Sequence, residues 1–84
     1  MASKFRKGAH VVFLDHEETP WILVGKIGMV DHARSGYVGV IARDIDGHIV
    51  RETPYAERTG VTIVPYEAVR RLSPMEELAL AADG

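Results

Sequence analysis

Short apolar runs, each ended by a polar corner, constrain this chain more than any other feature of its sequence. Residues 37–45 alternate between two faces, and Val38, Val40 and Ala42 share one of them. A repeat of two residues is the period of a β-strand that buries one side. Glycine, proline and aspartate separate this run from similar ones, which favours a small antiparallel β domain.

The sequence predicts five strands. They cover residues 10–14, 21–30, 37–45, 48–53 and 60–65, and glycines bend the second of them. Asp46-Gly47 lies between the third and fourth strands, and this pair favours the positive φ angles of a two-residue hairpin turn. The remaining segments are predicted as polar loops at 15–20 and 31–36, a helical turn or loop at 55–58, and a short helical turn at 66–72.

A C-terminal helix is predicted from its first residues. Ser73 suits the N-cap, Pro74 the first helical position, and Glu76 the position three residues after the cap. We expect the helix to run from residue 74 to about residue 82. Leu78 and Leu80 lie on a loose apolar stripe that packs on the sheet or on another subunit.

The chain of 84 residues has the length of one domain. We divide it into a basic N-terminal arm at residues 1–7, a small β-barrel domain at residues 8–72, and a helix and tail at residues 73–84. Cysteine is absent, which excludes disulfides and thiolate chemistry. The predicted core is Val11, Phe13, Ile22, Val24, Ile27, Val30, Val38, Val40, Ile49, Ile63, Val69 and Leu72.

Charge and hydropathy narrow the classes of protein to consider. The net charge is -2, whereas a dedicated nucleic-acid binder normally carries a basic excess. No apolar run approaches the roughly 20 residues of a membrane span, and the first residues lack the apolar core of a signal peptide. We therefore expect a cytoplasmic protein with no membrane partner.

The order of the predicted elements resembles the Src-homology-3-like small barrels of bacteria across residues 5–72. The likeness rests on Lys7-Gly8 before the first strand, on residues 25–30, and on a closing strand that continues into residues 66–72. It implies a mainly β fold, a five-stranded antiparallel Src-homology-3-like small barrel, to which the short C-terminal helix is added.

Two branches of that group are similar in more detail. The segment Gly-Lys-Ile-Gly-Met-Val at residues 25–30 is similar to the KOW motif of ribosomal and elongation proteins, which implies contact with RNA or a polymerase. Residues 61–65 look like the closing strand of the type II dihydrofolate reductases, where a glutamine and a tyrosine line a pore shared by four subunits. Thr62 and Val64 hold those places here, so this likeness implies shared topology.

Four aromatic residues are candidate binding residues: Trp21, Tyr37, Tyr55 and Tyr66. An aromatic groove beside residues 15–20 is the usual place for a peptide ligand on such barrels. The competing expectation is that a domain this small buries its aromatic side chains, Trp21 above all, in the core.

Five basic residues are candidates for a phosphate-binding or acid-binding patch: Lys4, Arg6, Lys7, Arg70 and Arg71. They form one patch only where the two ends of the chain meet. The competing interpretation is a set of solvated charges, because the rest of the chain is not basic.

No catalytic, metal or cofactor site is predicted. The spacing of His10, His16, His32 and His48 matches no metal motif. Residues 44–47 begin like a calcium loop, but a threonine stands where the ligating glutamate belongs, so a hairpin turn is the preferred interpretation. The three serines lie in a tail, a loop and a helix cap, which does not indicate a catalytic triad.

Three hypotheses of function follow from these features. The first is a non-enzymatic interaction module that recognises protein partners and self-associates through an edge strand or the C-terminal helix. The second is a nucleic-acid-binding accessory protein that uses the basic residues. The third is an enzyme whose site forms at a subunit interface, as the reductase likeness implies.

Overall fold

The fold is given by a computed structural model that describes residues 5–83. Within this range the chain forms five strands, two α-helices and two short 3-10 turns. The strands are β1 (His10–Phe13), β2 (Ile27–Arg34), β3 (Tyr37–Ala42), β4 (Thr62–Pro65) and β5 (Val69–Arg71). The helices are α1 (Pro54–Thr59) and α2 (Pro74–Asp83), and the 3-10 turns are Trp21–Leu23 and Tyr66–Ala68.

All five strands belong to one antiparallel sheet with the order β4-β3-β2-β1-β5. This confirms a mainly β fold with five antiparallel strands and a short C-terminal helix. The edge strands are β4 and β5, and no backbone pairing joins them in the described part of the chain. The sheet is therefore not closed by hydrogen bonds into a barrel.

The second strand begins later and ends later than the sequence predicts. Trp21–Leu23 is a 3-10 turn, in which the Leu23 N–H donates to the Pro20 carbonyl oxygen at 2.8 Å. β2 starts at Ile27 and continues to Arg34, so the predicted loop at residues 31–36 shrinks to a tight turn. Gly36 makes this turn with φ 83, a left-handed conformation that glycine adopts without strain.

Residues 48–53 do not form the predicted fourth strand. The Asp44 side chain accepts hydrogen bonds from the backbone N–H groups of Asp46 and His48, both at 2.9 Å. These bonds stabilise the turn without strand pairing. After the turn, a single β-bridge joins Arg43 to Ile49. The Asp46-Gly47 turn is thus present, with Gly47 at φ 84, but its second arm is irregular.

A strand replaces the second half of the helical turn predicted at residues 66–72. Only Tyr66–Ala68 is helical, and β5 follows it directly. β5 pairs with β1, with Val12 opposite Arg70. This pairing joins segments far apart in the chain, and the sequence near β5 carries no sign of it.

Several predicted members of the core are missing from it. Ile22, Val24 and Ile27 are exposed, while Ile49 and Ile63 are half-buried. The 3-10 turn directs only Leu23 inward, and β2 sends Ile27 to its outer face. The buried apolar residues are Phe5, Val11, Val12, Phe13, Leu23, Val30, Val38, Val40, Ala42, Ala56, Val61, Val64, Ala68, Val69 and Leu72.

α2 begins with the predicted capping box. The Glu76 carboxylate accepts the Ser73 N–H at 2.8 Å, and the Ser73 hydroxyl accepts the Glu76 N–H at 3.2 Å. The same carboxylate receives two hydrogen bonds from the Arg70 guanidinium, at 2.7 and 3.0 Å. None of the helices within residues 5–83 has the length and apolar character required to span a membrane.

The Arg70 hydrogen bonds, followed by the Ser73 backbone N–H, lower the pKa of Glu76 to about 2. Because the folded pKa lies below the ordinary value of 4.5, the contact stabilises the fold above about pH 4.5. Its contribution is lost as the pH falls from there toward 2.

We expect Arg70→Gln to raise the pKa of Glu76 toward its ordinary value, because the carboxylate loses a cation and the two charge-assisted hydrogen bonds that it receives from that cation. A pH titration of the Glu76 carboxyl carbon by NMR measures this change. Arg71→Gln is the matched control, since Arg71 makes no ion pair with Glu76 within residues 5–83. Equal Glu76 titrations in the two variants would contradict the assignment.

Candidate functional site

A β-bulge in β2 brings two ionisable side chains together. Val30 lies opposite Val40 and His32 lies opposite Gly39, so Asp31 is an extra residue in the ladder. Successive side chains of a regular strand point to opposite faces, and a bulge changes that alternation. The Asp31 Oδ2 atom consequently lies 2.9 Å from the His32 Nδ1 atom.

Gly39 makes room for the His32 ring. A Cβ atom at position 39 would lie 2.5 Å from His32 Cε1, 2.9 Å from His32 Nδ1 and 2.8 Å from Val61 Cγ1. Real Cβ atoms do not approach other atoms this closely. The imidazole therefore lies against the backbone of β3, and a side chain at position 39 would displace it.

The bulge lies on the wall of a groove of about 640 Å³, which we call the bulge groove. Residues of β2, β3 and β4 form its floor and walls, and α1 closes one side. The lining residues that carry polar or aromatic groups are Asp31, His32, Arg34, Tyr37, Tyr55 and Thr59. This volume falls in the range of sites for small ligands.

α1 holds Tyr55 and Thr59 at the groove through its capping contacts. The Thr53 hydroxyl accepts the Ala56 N–H at 3.0 Å at the start of the helix, and Gly60 ends it at φ 77. The Arg58 guanidinium carbon lies 5.8 Å from the centre of the Tyr55 ring, within the range of a cation–π contact. The aromatic wall is thus placed by a short, capped helix.

Asp31 fixes the proton on the His32 ring. A carboxylate only accepts hydrogen bonds, so Nδ1 donates to Asp31 Oδ2. In the neutral ring, Nε2 is then the nitrogen that accepts a hydrogen bond. The pair is half-buried, with 34% of the His32 side chain and 36% of the Asp31 side chain exposed.

A second surface is apolar and lies around Ile27, the first residue of β2. Ile22, Ile27 and Ile45 are exposed and line one groove there, and Trp21 and Val24 are exposed neighbours of that groove in the chain. We call these five residues the apolar surface. Trp21 is 85% exposed, which overturns the expectation of a buried tryptophan. Its 3-10 turn contributes only Leu23 to the core.

The apolar surface contains a groove of about 680 Å³. Ile22, Ile27, Ile45 and Val50 line it, together with the charged residues Lys26, Arg43 and Asp44. The groove separates the 3-10 turn from the turn at residues 44–48. Its walls are therefore two neighbouring loops that converge at the start of β2.

The four predicted aromatic residues do not form one groove. Tyr37 and Tyr55 line the bulge groove, whereas Trp21 belongs to the apolar surface. Tyr66 packs edge-on against Phe5 with ring centres 5.3 Å apart, and its hydroxyl donates to the Arg34 carbonyl oxygen. Tyr66 thus serves to fasten the β2–β3 turn.

The predicted basic residues differ in their surroundings. Arg6 and Lys7 are exposed, and Lys4 lies outside the described residues. Arg70 binds Glu76, so its charge is matched within the fold. Arg71 follows it on β5, where successive side chains point to opposite faces.

Three potential metal ligands meet at the turn after β3. The nearest ligand atoms of Asp44, Asp46 and His48 lie within 4.8 Å of one another, and all three residues are exposed. Asp44 Oδ1 already accepts two backbone hydrogen bonds there. These contacts explain the cluster as the side of a tight turn.

The chain matches no protein family model, no curated protein and no solved structure.

The sequence predicts part of the bulge groove, since Tyr37 and Tyr55 are candidate binding residues and both line it. It does not indicate Asp31, His32 and Arg34 as binding residues, because the first and last fall in a predicted loop and His32 belongs to no metal motif. Gly39 lies inside an apolar run, where a glycine is a sign of a bulge or of a close approach between chains. That glycine was the available signal, but it does not say which residue of the partner strand is extra.

We expect Gly39→Ala to destabilise the fold by about 1–3 kcal/mol, because the new methyl group overlaps the His32 ring and Val61. Urea unfolding measures the cost. In a His32→Ala background the same substitution should destabilise the fold by at least about 0.5 kcal/mol less, because the overlap with the His32 ring is gone. Equal costs in both backgrounds would show that the ring does not lie against Gly39.

Proposed function

We propose that this protein is a non-enzymatic interaction module that binds a protein partner through its apolar surface. The observation that supports the proposal best is the 85% exposure of Trp21. Tryptophan is the residue type most enriched among the side chains that dominate protein interfaces. Ile22 follows it in the chain and lines a groove with Ile27 and Ile45, and these three side chains are exposed as well.

The free chain leaves large apolar side chains in contact with water. Burying an apolar side chain of this size contributes about 1.5–3 kcal/mol. A small domain has few such side chains to spare, yet here Trp21, Ile22, Ile27 and Ile45 stay outside the core. A partner that covers them regains that free energy.

A second copy of this chain is the partner that we favour. Lys26 and Arg43 lie at the apolar groove together with Asp44, so the groove carries both signs of charge. Two copies related by a two-fold axis present the same surface to each other, and each sign can then face its opposite. Self-association of this kind needs no other molecule.

The module is, in this proposal, a Src-homology-3-like small barrel of the bacterial cytoplasm. Support comes from the strand order, in which β1 pairs with both β2 and β5 while β2, β3 and β4 form a meander. Small barrels of this kind serve many unrelated functions, so the surface rather than the fold argues for binding.

Self-association is tested by the mass of the particle in solution as a function of concentration. We expect dimers in the micromolar to millimolar range, and at least a tenfold weaker dimer for Trp21→Ala, the expected loss of a central interface residue. Sedimentation equilibrium gives both constants.

Leu78→Ala is the matched control, because Leu78 is an exposed apolar residue of α2, outside the apolar surface. It should leave the dimer unchanged. A chain that stays monomeric at millimolar concentration, or a dimer that Leu78→Ala weakens as much as Trp21→Ala, would overturn the assignment of this surface.

A further inference from the structure

We propose that the bulge groove is a binding site for a small organic carboxylate with a flat apolar body. The site is separate from the apolar surface and does not depend on self-association. Arg34 binds the carboxylate, and Tyr37 and Tyr55 contact the apolar body. One cation, two aromatic side chains and a fixed backbone characterise this groove.

Arg34 provides the cation. Arg34 lines the groove, and its guanidinium forms no ion pair with any of residues 5–83. A guanidinium presents two parallel N–H groups to a carboxylate, a pairing stronger than a neutral hydrogen bond. The carboxylate of Asp31, the acidic group in the same groove, is already in contact with His32.

The support of Arg34 is rigid. Its carbonyl oxygen accepts the Tyr66 hydroxyl, and Tyr66 in turn donates its backbone N–H to Gly36 at 3.1 Å. Arg34 also pairs with Tyr37 at the end of the β2–β3 ladder. A cation whose backbone is fixed on both sides loses less freedom when it binds a ligand.

The walls of the groove favour a ligand with an apolar body next to its carboxylate. Tyr37 is 49% exposed and Tyr55 is 41% exposed, so both rings have a free part. Ile41 and Ile63 add aliphatic surface between them. A flat ring fits such walls better than a branched polar group does.

His32 adds a polar contact beyond the carboxylate. It precedes Arg34 by two residues on β2, so the two lie about 7 Å apart along the strand. Because Asp31 holds the proton on Nδ1, the Nε2 atom accepts a hydrogen bond from a hydroxyl or amine of the ligand. The preferred ligand therefore carries a hydrogen-bond donor at the end opposite its carboxylate.

Benzoate, benzamide and acetate serve as probes in an NMR titration of the whole chain. We expect benzoate to shift the amide signals of residues 32–39 and 55–63 and to saturate. Benzamide lacks the charge and acetate lacks the ring, so each should bind at least tenfold more weakly. Equal binding of benzoate and benzamide would overturn the proposal, and so would benzoate shifts confined to residues 21–27.

Arg34→Gln should raise the dissociation constant of benzoate at least tenfold. Arg71→Gln is the matched control, because it removes an exposed arginine on another strand. Both variants should keep a dispersed spectrum and an unchanged dimer constant, which separates this test from that of the apolar surface. An Arg34→Gln variant that is folded and binds benzoate as the parent does would show that Arg34 is not the receptor.

Discussion

The pairing of β2 with β3 is the constraint on which the rest of the structure depends. It joins the central strand β2 to its neighbour β3, and its single irregularity, with Asp31 as the extra residue between Val30 and His32, lies on the wall of the bulge groove. A strand that alternated without interruption would send Asp31 and His32 to opposite faces. Sheet geometry therefore decides where the polar chemistry of this chain lies.

Contacts between residues close in the chain were easier to predict than pairings between distant strands. The capping box of α2 was predicted and confirmed, because Ser73 and Glu76 are only three residues apart and interact with each other's backbone. β5 was missed because its hydrogen bonds go to β1, at the other end of the chain. The period-two pattern in β3 was visible, whereas the bulge in β2 depends on a partner strand.

Hydropathy failed at one particular place, residues 21–27. The run looks like a buried strand, but Pro20 and a 3-10 turn rotate Trp21 and Ile22 outward and leave Leu23 inside. Ile22, Val24 and Ile27, which were predicted in the core, are therefore part of the apolar surface. Where an apolar run does not enter the core, the surplus marks a surface that can bind another molecule.

The position of β1 has a consequence for the synthesis of the protein. β1 lies inside the sheet, yet one of its two neighbours is β5, which is made after the other four strands. Until residues 69–71 leave the ribosome, the growing chain carries an unpaired backbone edge along residues 11–13. Such an edge pairs readily with other extended chains, so the nascent protein is most exposed to aggregation just before its final strand emerges.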